Sequence, residues 1–165
     1  MDIVDSPSVA IIILNWNNWQ DTVQCLESLS QIDYPNYQIV VVDNGSTDDS
    51  VLQLKQIFNG ISLFETERNL GFSGGVNFGI EQAKTSDLIL LLNNDTLVEK
   101  DFLTGLVRKI TSNDTIGLVG GKIYYYEAAE CDAFIRQLAD VQSIKGLHSN
   151  RNKIWSAGGG ISKLT

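Results

Sequence analysis

The chain has 165 residues, of which 43% are hydrophobic and 19% are charged, and its formal net charge is −8. This composition predicts one globular domain with a substantial core and argues against a disordered chain. The negative charge argues against a general nucleic-acid surface, which requires clustered Lys and Arg. A phosphorylated small molecule stays open as a ligand, because a metal ion can bridge two negative partners.

The cysteines and the N-terminal residues bear on the cellular compartment. Cys25 and Cys131 lie far apart and follow no metal-ligand spacing, which predicts reduced thiols in a cytoplasmic protein. Residues 1–8 lack the basic segment of a signal peptide, and we expect them to form a tail. No apolar run approaches the roughly 20 residues of a membrane span, so we expect a soluble chain.

Apolar and polar blocks predict strands and helices in turn from Val9 to Ile123. In chain order, the predicted elements are a strand at 9–14, a helix at 19–30, a strand at 38–43, a helix capped by Ser46 or Thr47 and ending near Phe58, a strand at 61–65, a helix ending near Lys84, a strand at 88–92, a helix at 100–111 and a strand at 117–123. Such alternation is typical of βαβ units. We therefore predict an α/β, Rossmann-like domain at residues 9–123, with a mostly parallel sheet and helices on both faces.

Three wholly apolar strands each run directly into a cluster of Asn and Asp. The clusters are Asn15-Trp16-Asn17, Asp43-Asn44-Gly45-Ser46 and Asn93-Asn94-Asp95-Thr96. Strands without polar alternation are buried on both faces, as in parallel sheets, and such sheets bind ligands beyond the carboxyl ends of their strands. The pattern predicts a site for a polar ligand, phosphorylated or metal-bound, at that edge.

Each cluster also has a purely structural interpretation. Asp43 could accept a hydrogen bond from a nucleobase or a ribose, or it could stabilise an Asx-turn. Asp95 could ligate Mg²⁺ or Mn²⁺, which prefer oxygen ligands, or it could cap a turn before the next helix. Trp16 could stack on a base or cover the core.

The segment NLGFSGGVN at residues 69–77 is rich in glycine. Glycines at a helix start allow a phosphate to approach free backbone N–H groups, or they serve close packing of the helix on the sheet. The spacing matches neither the Walker motif nor the dinucleotide fingerprint. The single histidine, His148, lies in a polar stretch and supports no catalytic relay.

Together these motifs resemble the N-terminal, nucleotide-sugar-binding part of family 2 glycosyltransferases, the inverting enzymes of the GT-A fold. The resemblance covers about residues 9–121 and extends weakly to the end of the chain. It rests on VAIIILNWN at 9–17, on YPNYQIVVVDNGSTD at 34–48, which is the most specific stretch, on Asn69-Leu70-Gly71 with Asn77, and on LNND at 92–95, where the family has an Asp-x-Asp motif. The sequence Asn-Asn-Asp-Thr, with Gly-Phe-Ser-Gly-Gly, looks most like the rhamnosyltransferase branch.

The resemblance implies a role for each of these positions. Asn15 and Trp16 would line the base and ribose pocket, and Asp43 would hydrogen-bond the base. Asn94 would lie near the ribose or diphosphate, and Asp95 would ligate a divalent metal, Mg²⁺ or Mn²⁺. The remaining nucleotide-binding positions would be Asn17, Asn44, Asn69, Gly71, Asn77 and Asn93.

Two residues depart from the family pattern. Asn93 replaces the first acid of the Asp-x-Asp motif, which removes one negative metal ligand. Val76 stands where an arginine often precedes the loop's asparagine, so another group must neutralise the phosphates.

The implied reaction moves a sugar from a UDP- or dTDP-sugar to an acceptor hydroxyl on a glycan or lipid-linked glycan, with inversion. In relatives, an Asp or Glu beyond a glycine-rich segment deprotonates the acceptor. No carboxylate side chain follows Asp140, so we expect the catalytic base beyond Thr165 and residues 124–165 to be the incomplete start of an acceptor-side region. The resemblance also implies polysaccharide biosynthesis, with peripheral association of the full-length protein at the inner membrane face.

Two other functions stay open on the sequence alone. A sugar-phosphate nucleotidyltransferase also uses a parallel sheet and a metal, but it usually places a basic glycine-rich loop where this chain has Asn15-Trp16-Asn17-Asn18. A non-catalytic nucleotide-binding domain is the second alternative, because Asn93 stands in place of an acidic metal ligand.

Overall fold

The computed structural model describes residues 6–124, 154–156 and 160–163 of the chain. The chain divides into two compact units, one comprising Met1–Gly120 with Gly159–Thr165 and the other Gly121–Gly158. The described part of the second unit contains an antiparallel pair of short strands, β6 (Ile123–Tyr124) and β7 (Ile154–Ser156).

The first unit is a sheet flanked by helices. Its strands are β1 (Val9–Asn15), β2 (Tyr37–Asp43), β3 (Ser62–Glu65), β4 (Leu88–Asn93), β5 (Leu118–Gly120) and β8 (Gly160–Lys163), and its helices are α1 (Trp19–Leu29), α2 (Ser50–Ile57), α3 (Gly71–Gln82) and α4 (Phe102–Thr111). The strand order is β3-β2-β1-β4-β8-β5. Strands β1 to β4 are parallel, whereas β8 is antiparallel to both β4 and β5. The prediction of a mostly parallel α/β sheet is therefore confirmed.

The central strands bury side chains on both faces, as their unbroken apolar sequences predict. One face of β1 packs with apolar residues of α1, α2 and α4, among them Leu26, Leu54 and Val107. The other face packs with α3, which contributes Phe78 and Ile80. Helices therefore cover both faces, and the polar residues that end each strand are left at the edge of the sheet.

The described helices are all short. The longest, α3, has 12 residues, whereas a membrane-spanning helix needs about 20. Among the described residues, no helix has the length and apolarity to span a membrane.

Two sequence predictions about element boundaries are wrong. Helix α2 begins at Ser50 after an N-cap at Asp49 rather than at Ser46 or Thr47. The Ser46 hydroxyl instead accepts a hydrogen bond from the Asn17 backbone N–H at 2.8 Å, so tertiary contact overrides its local capping preference. The single strand predicted at 117–123 is two strands, β5 and β6, which belong to different sheets.

Helix α3 approaches the sheet closely at two glycines. A Cβ atom on Gly79 would lie 2.6 Å from Cγ2 of Ile12 and 3.1 Å from Cγ2 of Val42, and one on Gly75 would lie 2.5 Å from Cδ1 of Leu14. The methyl groups of Ile12 and Val42 sit on β-branched carbons of a packed sheet and have little freedom to move. The packing interpretation of the glycine-rich segment is therefore confirmed for Gly75, and Gly79, just beyond that segment, packs against the sheet in the same way.

We predict that Gly79→Ala lowers the free energy of unfolding by about 1–3 kcal/mol, because the added methyl overpacks the interface with β1 and β2. The matched control is Gly105→Ala in α4, where an added Cβ atom would meet no neighbouring group within 4 Å. That variant should be stabilised by about 0.5–1 kcal/mol, since alanine has the better helix propensity. Urea unfolding followed by tryptophan fluorescence measures both, and equal effects at the two positions would contradict the close packing.

Candidate functional site

The three polar clusters meet at one edge of the sheet. In the parallel register, Asn15 at the end of β1 pairs with Asp43 at the end of β2, and Leu14 pairs with Asn93 at the end of β4. The loops that follow these strands, residues 15–18, 43–47 and 93–95, are called the carboxyl rim below. The structure thus brings together the residues that the strand-end pattern placed at one edge.

A buried hydrogen-bond network centres on the side chain of Asn15, which is 0% exposed. Its amide nitrogen donates to Oδ2 of Asp43 at 2.8 Å and to the Ser46 hydroxyl at 3.3 Å. Its amide oxygen accepts from the hydroxyl of Thr22 in α1 at 2.8 Å. The Asn15 side chain therefore holds neighbouring groups in place and has no face open to a ligand.

Asp43 is 2% exposed, and both of its carboxylate oxygens are engaged. Oδ1 accepts the backbone N–H of Ser46 at 2.9 Å, in addition to the bond that Oδ2 accepts from Asn15. The bond from the backbone N–H of Ser46 is the local turn contact that the structural interpretation of Asp43 predicted. A carboxylate has about four lone-pair sites, so two accepted bonds leave capacity for a further donor at the rim.

The first two loops of the rim, residues 15–18 and 43–47, are joined by hydrogen bonds. The backbone N–H of Asn17 donates to the Ser46 hydroxyl, and Oδ1 of Asn17 accepts the backbone N–H of Thr47, both at 2.8 Å. Asn17 has a φ of 52°, a left-handed conformation that asparagine tolerates better than most residues. Trp16 is held between these contacts with its side chain 53% exposed. It presents an aromatic surface to solvent at the rim rather than covering the core.

Gly45 is required by the same loop. Its φ is 72°, and a Cβ atom there would lie 2.4 Å from the backbone carbon of Arg68. Both the left-handed conformation and the close approach of residue 68 exclude a side chain at this position.

Asn44 clamps the glycine-rich segment to the end of β2. Its amide nitrogen donates to Oδ1 of Asn69 at 3.1 Å and to the carbonyl of Gly71 at 3.2 Å, while its oxygen accepts the N–H of Leu70 at 3.0 Å. Asn44 is buried, so these contacts use its hydrogen-bonding groups within the fold. Helix α3 consequently begins beside the rim, at Gly71 with a φ of 71°.

The third loop of the rim is held by helix α1. The side-chain nitrogen of Asn94 donates to the Thr22 hydroxyl at 3.0 Å and to the carbonyl of Asn18 at 3.3 Å. One turn along α1, the thiol of Cys25 donates to the carbonyl of Asn93 at 3.7 Å. Another turn along, the Ser28 hydroxyl accepts the N–H of Val98 at 3.3 Å. Loop 93–98 is therefore fixed along one face of α1.

Asp95 is the carboxylate of the rim that faces solvent. It is exposed, as is Asn93, and no hydrogen bond to the Asp95 carboxylate is present among the described residues. Within that part of the chain, no three His, Cys, Asp or Glu side chains are placed to hold a metal together. The donor set suits a hard divalent cation that takes one or two protein carboxylates and completes its shell with phosphate oxygens and water.

The structure treats the predicted site residues unequally. The network joins Asn15, Asn17, Asp43, Asn44, Asn69, Gly71 and Asn94, and it leaves the side chains of Trp16, Asn93 and Asp95 exposed at the rim. Asn77 is exposed on α3 and has no part in these bonds. The predictions for Cys131, Asp140 and His148 fall outside the described residues.

One member of the network, Thr22, was not predicted from the sequence as a site residue, and Ser46 was placed in the second polar cluster but was expected to cap α2. Thr22 is the first of three small polar or thiol residues spaced three apart on α1, with Cys25 and Ser28. Residues with that spacing lie on one face of a helix. The polar side chain of Thr22 on the buried face of α1 was the signal in the sequence that could have identified it as a site residue.

Two of the pockets formed by the described residues lie beside the sheet. A small one of about 120 Å³ opens beside Asn93 and Asn94, and its apolar wall includes Phe72, Leu14 and Leu92. A larger one of about 600 Å³ lies near the amino ends of β2 and β3, where it is lined by Tyr37, Ile57 and Ser62 among others. Of these two, the small pocket is the one that adjoins the carboxyl rim.

Burial raises the pKa of the Cys25 thiol from its ordinary value of 9.0 to about 12, and the nearby charge of Asp95 adds to the effect. The thiol is therefore neutral at physiological pH and acts as a hydrogen-bond donor to the 93–95 loop. It has neither the exposure nor the thiolate character of a nucleophile.

The chain matches a known family over most of its length. The sequence model described as Glycosyl transferase family 2 matches residues 10–157. Glycosyltransferase GlyG of Streptococcus pneumoniae is 26% identical over 131 residues, which cover 77% of this chain and 42% of GlyG. The chain spans about two fifths of the length of the first curated relatives it matches, from 39% to 42%.

Solved structures show the same fold. The mannosyltransferase PcManGT of Pyrobaculum calidifontis, in complex with GDP-Man and Mn²⁺, aligns with a TM-score of 0.65 and 23% identity over 75% of this chain and 37% of that one. TarS 1–349 of S. aureus, in complex with UDP-GlcNAc, aligns with a TM-score of 0.63 and 23% identity over 73% of this chain and 36% of that one. At this level of identity the likeness establishes the fold, which is the GT-A type that the resemblance implied.

We predict that Cys25 resists a thiol reagent such as DTNB in the folded chain at about pH 8, and reacts once the chain is unfolded in guanidinium. A Cys131→Ser background isolates its signal. Rapid modification of the folded chain would contradict the burial.

The same burial predicts a loss of stability at alkaline pH. Because the pKa of the Cys25 thiol in the folded chain, about 12, exceeds that in the unfolded chain, the thiol makes its full contribution to the free energy of unfolding below about pH 9. That contribution is lost as the pH rises from about 9 to about 12. The Cys25→Ala variant should lack this loss when urea unfolding is measured across the same pH range.

Proposed function

This chain is a member of glycosyl transferase family 2, and we propose that it binds the nucleoside-diphosphate sugar donor of that chemistry at the carboxyl rim. Family membership favours this function over a sugar-phosphate nucleotidyltransferase. The whole protein would transfer a hexosyl or rhamnosyl group to an acceptor hydroxyl with inversion, in the synthesis of a polysaccharide or other glycan.

The observation that carries the proposal is the convergence of three strand ends on one rigid rim. Asn15, Asp43 and Asn94 come from different strand ends, and the network through Thr22 connects all three. A polar site fixed before the ligand arrives loses less conformational entropy on binding. An edge beyond the carboxyl ends of parallel strands is also where open α/β sheets bind nucleotides.

The exposed and buried groups of the rim suggest a division of roles. Trp16 would stack on the base, and Asp43 would accept a hydrogen bond from the base or ribose with the capacity it retains. Asn15 and Asn44 would position these groups, because their own amides are occupied within the fold. Asn93 and Asn94 would lie near the ribose or diphosphate.

Asp95 would hold the divalent metal, Mg²⁺ or Mn²⁺. Such a metal, when bound, stabilises the negative charge that develops on the departing diphosphate. The solved mannosyltransferase with GDP-Man and Mn²⁺ supports a metal in this family. Arg68, exposed and directly before Asn69 in sequence, is our candidate for the cation that Val76 does not supply. The carboxylate that deprotonates the acceptor stays a prediction for residues beyond Thr165.

We predict that Mn²⁺ tightens binding of a nucleoside diphosphate to this chain, measured by calorimetric titration with UDP, dTDP and GDP in turn. Asp95→Asn should remove most of that tightening, about tenfold or more in Kd, because it deletes the exposed carboxylate of the rim. The control is Asp101→Asn, which makes the same charge change at the N-cap of α4, where asparagine serves equally well.

Three outcomes of the titration would count against the proposal. Absence of binding by all three nucleotides would reject the donor site. Binding that ignores Mn²⁺ would favour a non-catalytic nucleotide-binding domain. Equal losses in Asp95→Asn and Asp101→Asn would remove the assignment of Asp95 as the metal ligand.

A further inference from the structure

We infer that the Thr22 hydroxyl is a positioning group that couples the two halves of the carboxyl rim. One half carries Asp43, the expected base or ribose contact, and the other carries Asp95, the expected metal ligand. The inference rests on the proposed function, and it assigns a role to a helix residue that lies outside the strand-end clusters.

Thr22 lies at the centre of a continuous chain of side-chain hydrogen bonds. Its hydroxyl donates to Oδ1 of Asn15 at 2.8 Å and accepts from Nδ2 of Asn94 at 3.0 Å. Asn15 in turn donates to Asp43 at 2.8 Å. Within the described residues, this path is the side-chain connection between the end of β2 and the loop after β4.

The environment makes the hydroxyl hard to replace. Thr22 is 0% exposed, so water has no access to substitute for it. Its hydroxyl also lies 3.0 Å from the carbonyl of Asn18, a second acceptor for its one proton. Removing the oxygen would leave the Asn15 oxygen without its donor and one Asn94 donor without this acceptor, and buried groups in that state are strongly disfavoured.

The neighbouring contacts of α1 hold the backbone of the same loop. The Cys25 thiol donates a hydrogen bond to the carbonyl of Asn93, and the Ser28 hydroxyl accepts one from the N–H of Val98. They fix where the loop lies along the helix, but they make no bond to the side chains of the other rim loops. Thr22 alone among these three also bonds Asn15, so it sets the loop relative to the end of β1 and, through Asn15, to Asp43.

The consequence concerns the linkage between metal and nucleotide. If both halves bind one metal-chelated diphosphate, then Mn²⁺ strengthens nucleotide binding only while the halves keep their spacing. The measure of this coupling is the ratio of the nucleotide Kd without Mn²⁺ to that with Mn²⁺, and by linkage the nucleotide strengthens Mn²⁺ binding by the same factor.

The test compares Thr22→Val, which removes the hydroxyl and keeps the β-branched shape, with Thr22→Ser, which keeps the hydroxyl. The matched control is Thr111→Val in α4, where the lost hydroxyl donates to the carbonyl four residues earlier, Val107, at 2.8 Å. Each variant is titrated with whichever of UDP, dTDP or GDP binds the unmodified chain most tightly, with and without Mn²⁺. Thermal unfolding is followed in parallel.

We expect Thr22→Val to reduce the Kd ratio by about fivefold or more, with Thr22→Ser and Thr111→Val staying within about twofold of the unmodified chain. A merely structural role would lower the unfolding temperature of Thr22→Val and leave its ratio unchanged, which would overturn the inference. If the unmodified chain shows no Mn²⁺ effect with any nucleotide, the proposed function fails instead, and the two failures are distinct.

A second variant keeps the inference testable if Thr22→Val does not fold. Asn94→Ala breaks the same bond from the loop side at a partly exposed position. It should lower the Kd ratio by about fivefold or more, as Thr22→Val does. An unchanged Kd ratio in Asn94→Ala would overturn the positioning role of the Thr22–Asn94 bond.

Discussion

The hydrogen bonds of the buried Asn15 amide are the constraint on which the carboxyl rim depends. Leaving a buried amide without its hydrogen-bond partners lowers the stability of the fold by about 1–3 kcal/mol for each unsatisfied group. The native arrangement must therefore place Asp43 on one side of Asn15 and Thr22 on the other. Few arrangements of β1, β2 and α1 satisfy all of these bonds together. The polar network therefore specifies the geometry of the strand ends, while the apolar faces of the same strands supply most of the stability.

The rim residues fall into two physical classes. Asn15, Asn44 and Thr22 are buried, and their polar atoms are used within the protein. The side chains of Trp16 and Asp95 are exposed and free of such bonds among the described residues. A site that separates supporting groups from contacting groups can be rigid before a ligand binds, which lowers the entropic cost of association.

The two faces of the sheet contribute to the site in different ways. On one face, α1 lies along loop 93–98 and bonds it through Thr22, Cys25 and Ser28. On the other face, Gly79 lets α3 approach the sheet closely, and Asn44 holds the start of that helix beside the rim. Gly75 and Gly79 are thus explained by the packing of α3 on the sheet, and the placement of Gly71 near the strand ends follows from the hydrogen bonds of Asn44.

The sequence by itself determined the α/β class, the order of strands and helices, and the strand ends on which the polar clusters fall. These features follow from local apolar runs and from the rule that parallel strands end at a common edge. The tertiary structure alone decided that Asn15 and Asn44 are consumed within the fold, that Thr22 joins two loops, and that β8 inserts antiparallel between β4 and β5. Such facts depend on side-chain directions and on pairings between residues about seventy positions apart, which no local pattern encodes. Ser46 illustrates the reason: its hydroxyl suits a helix cap locally, but a donor from a distant loop lies within bonding distance and decides its role.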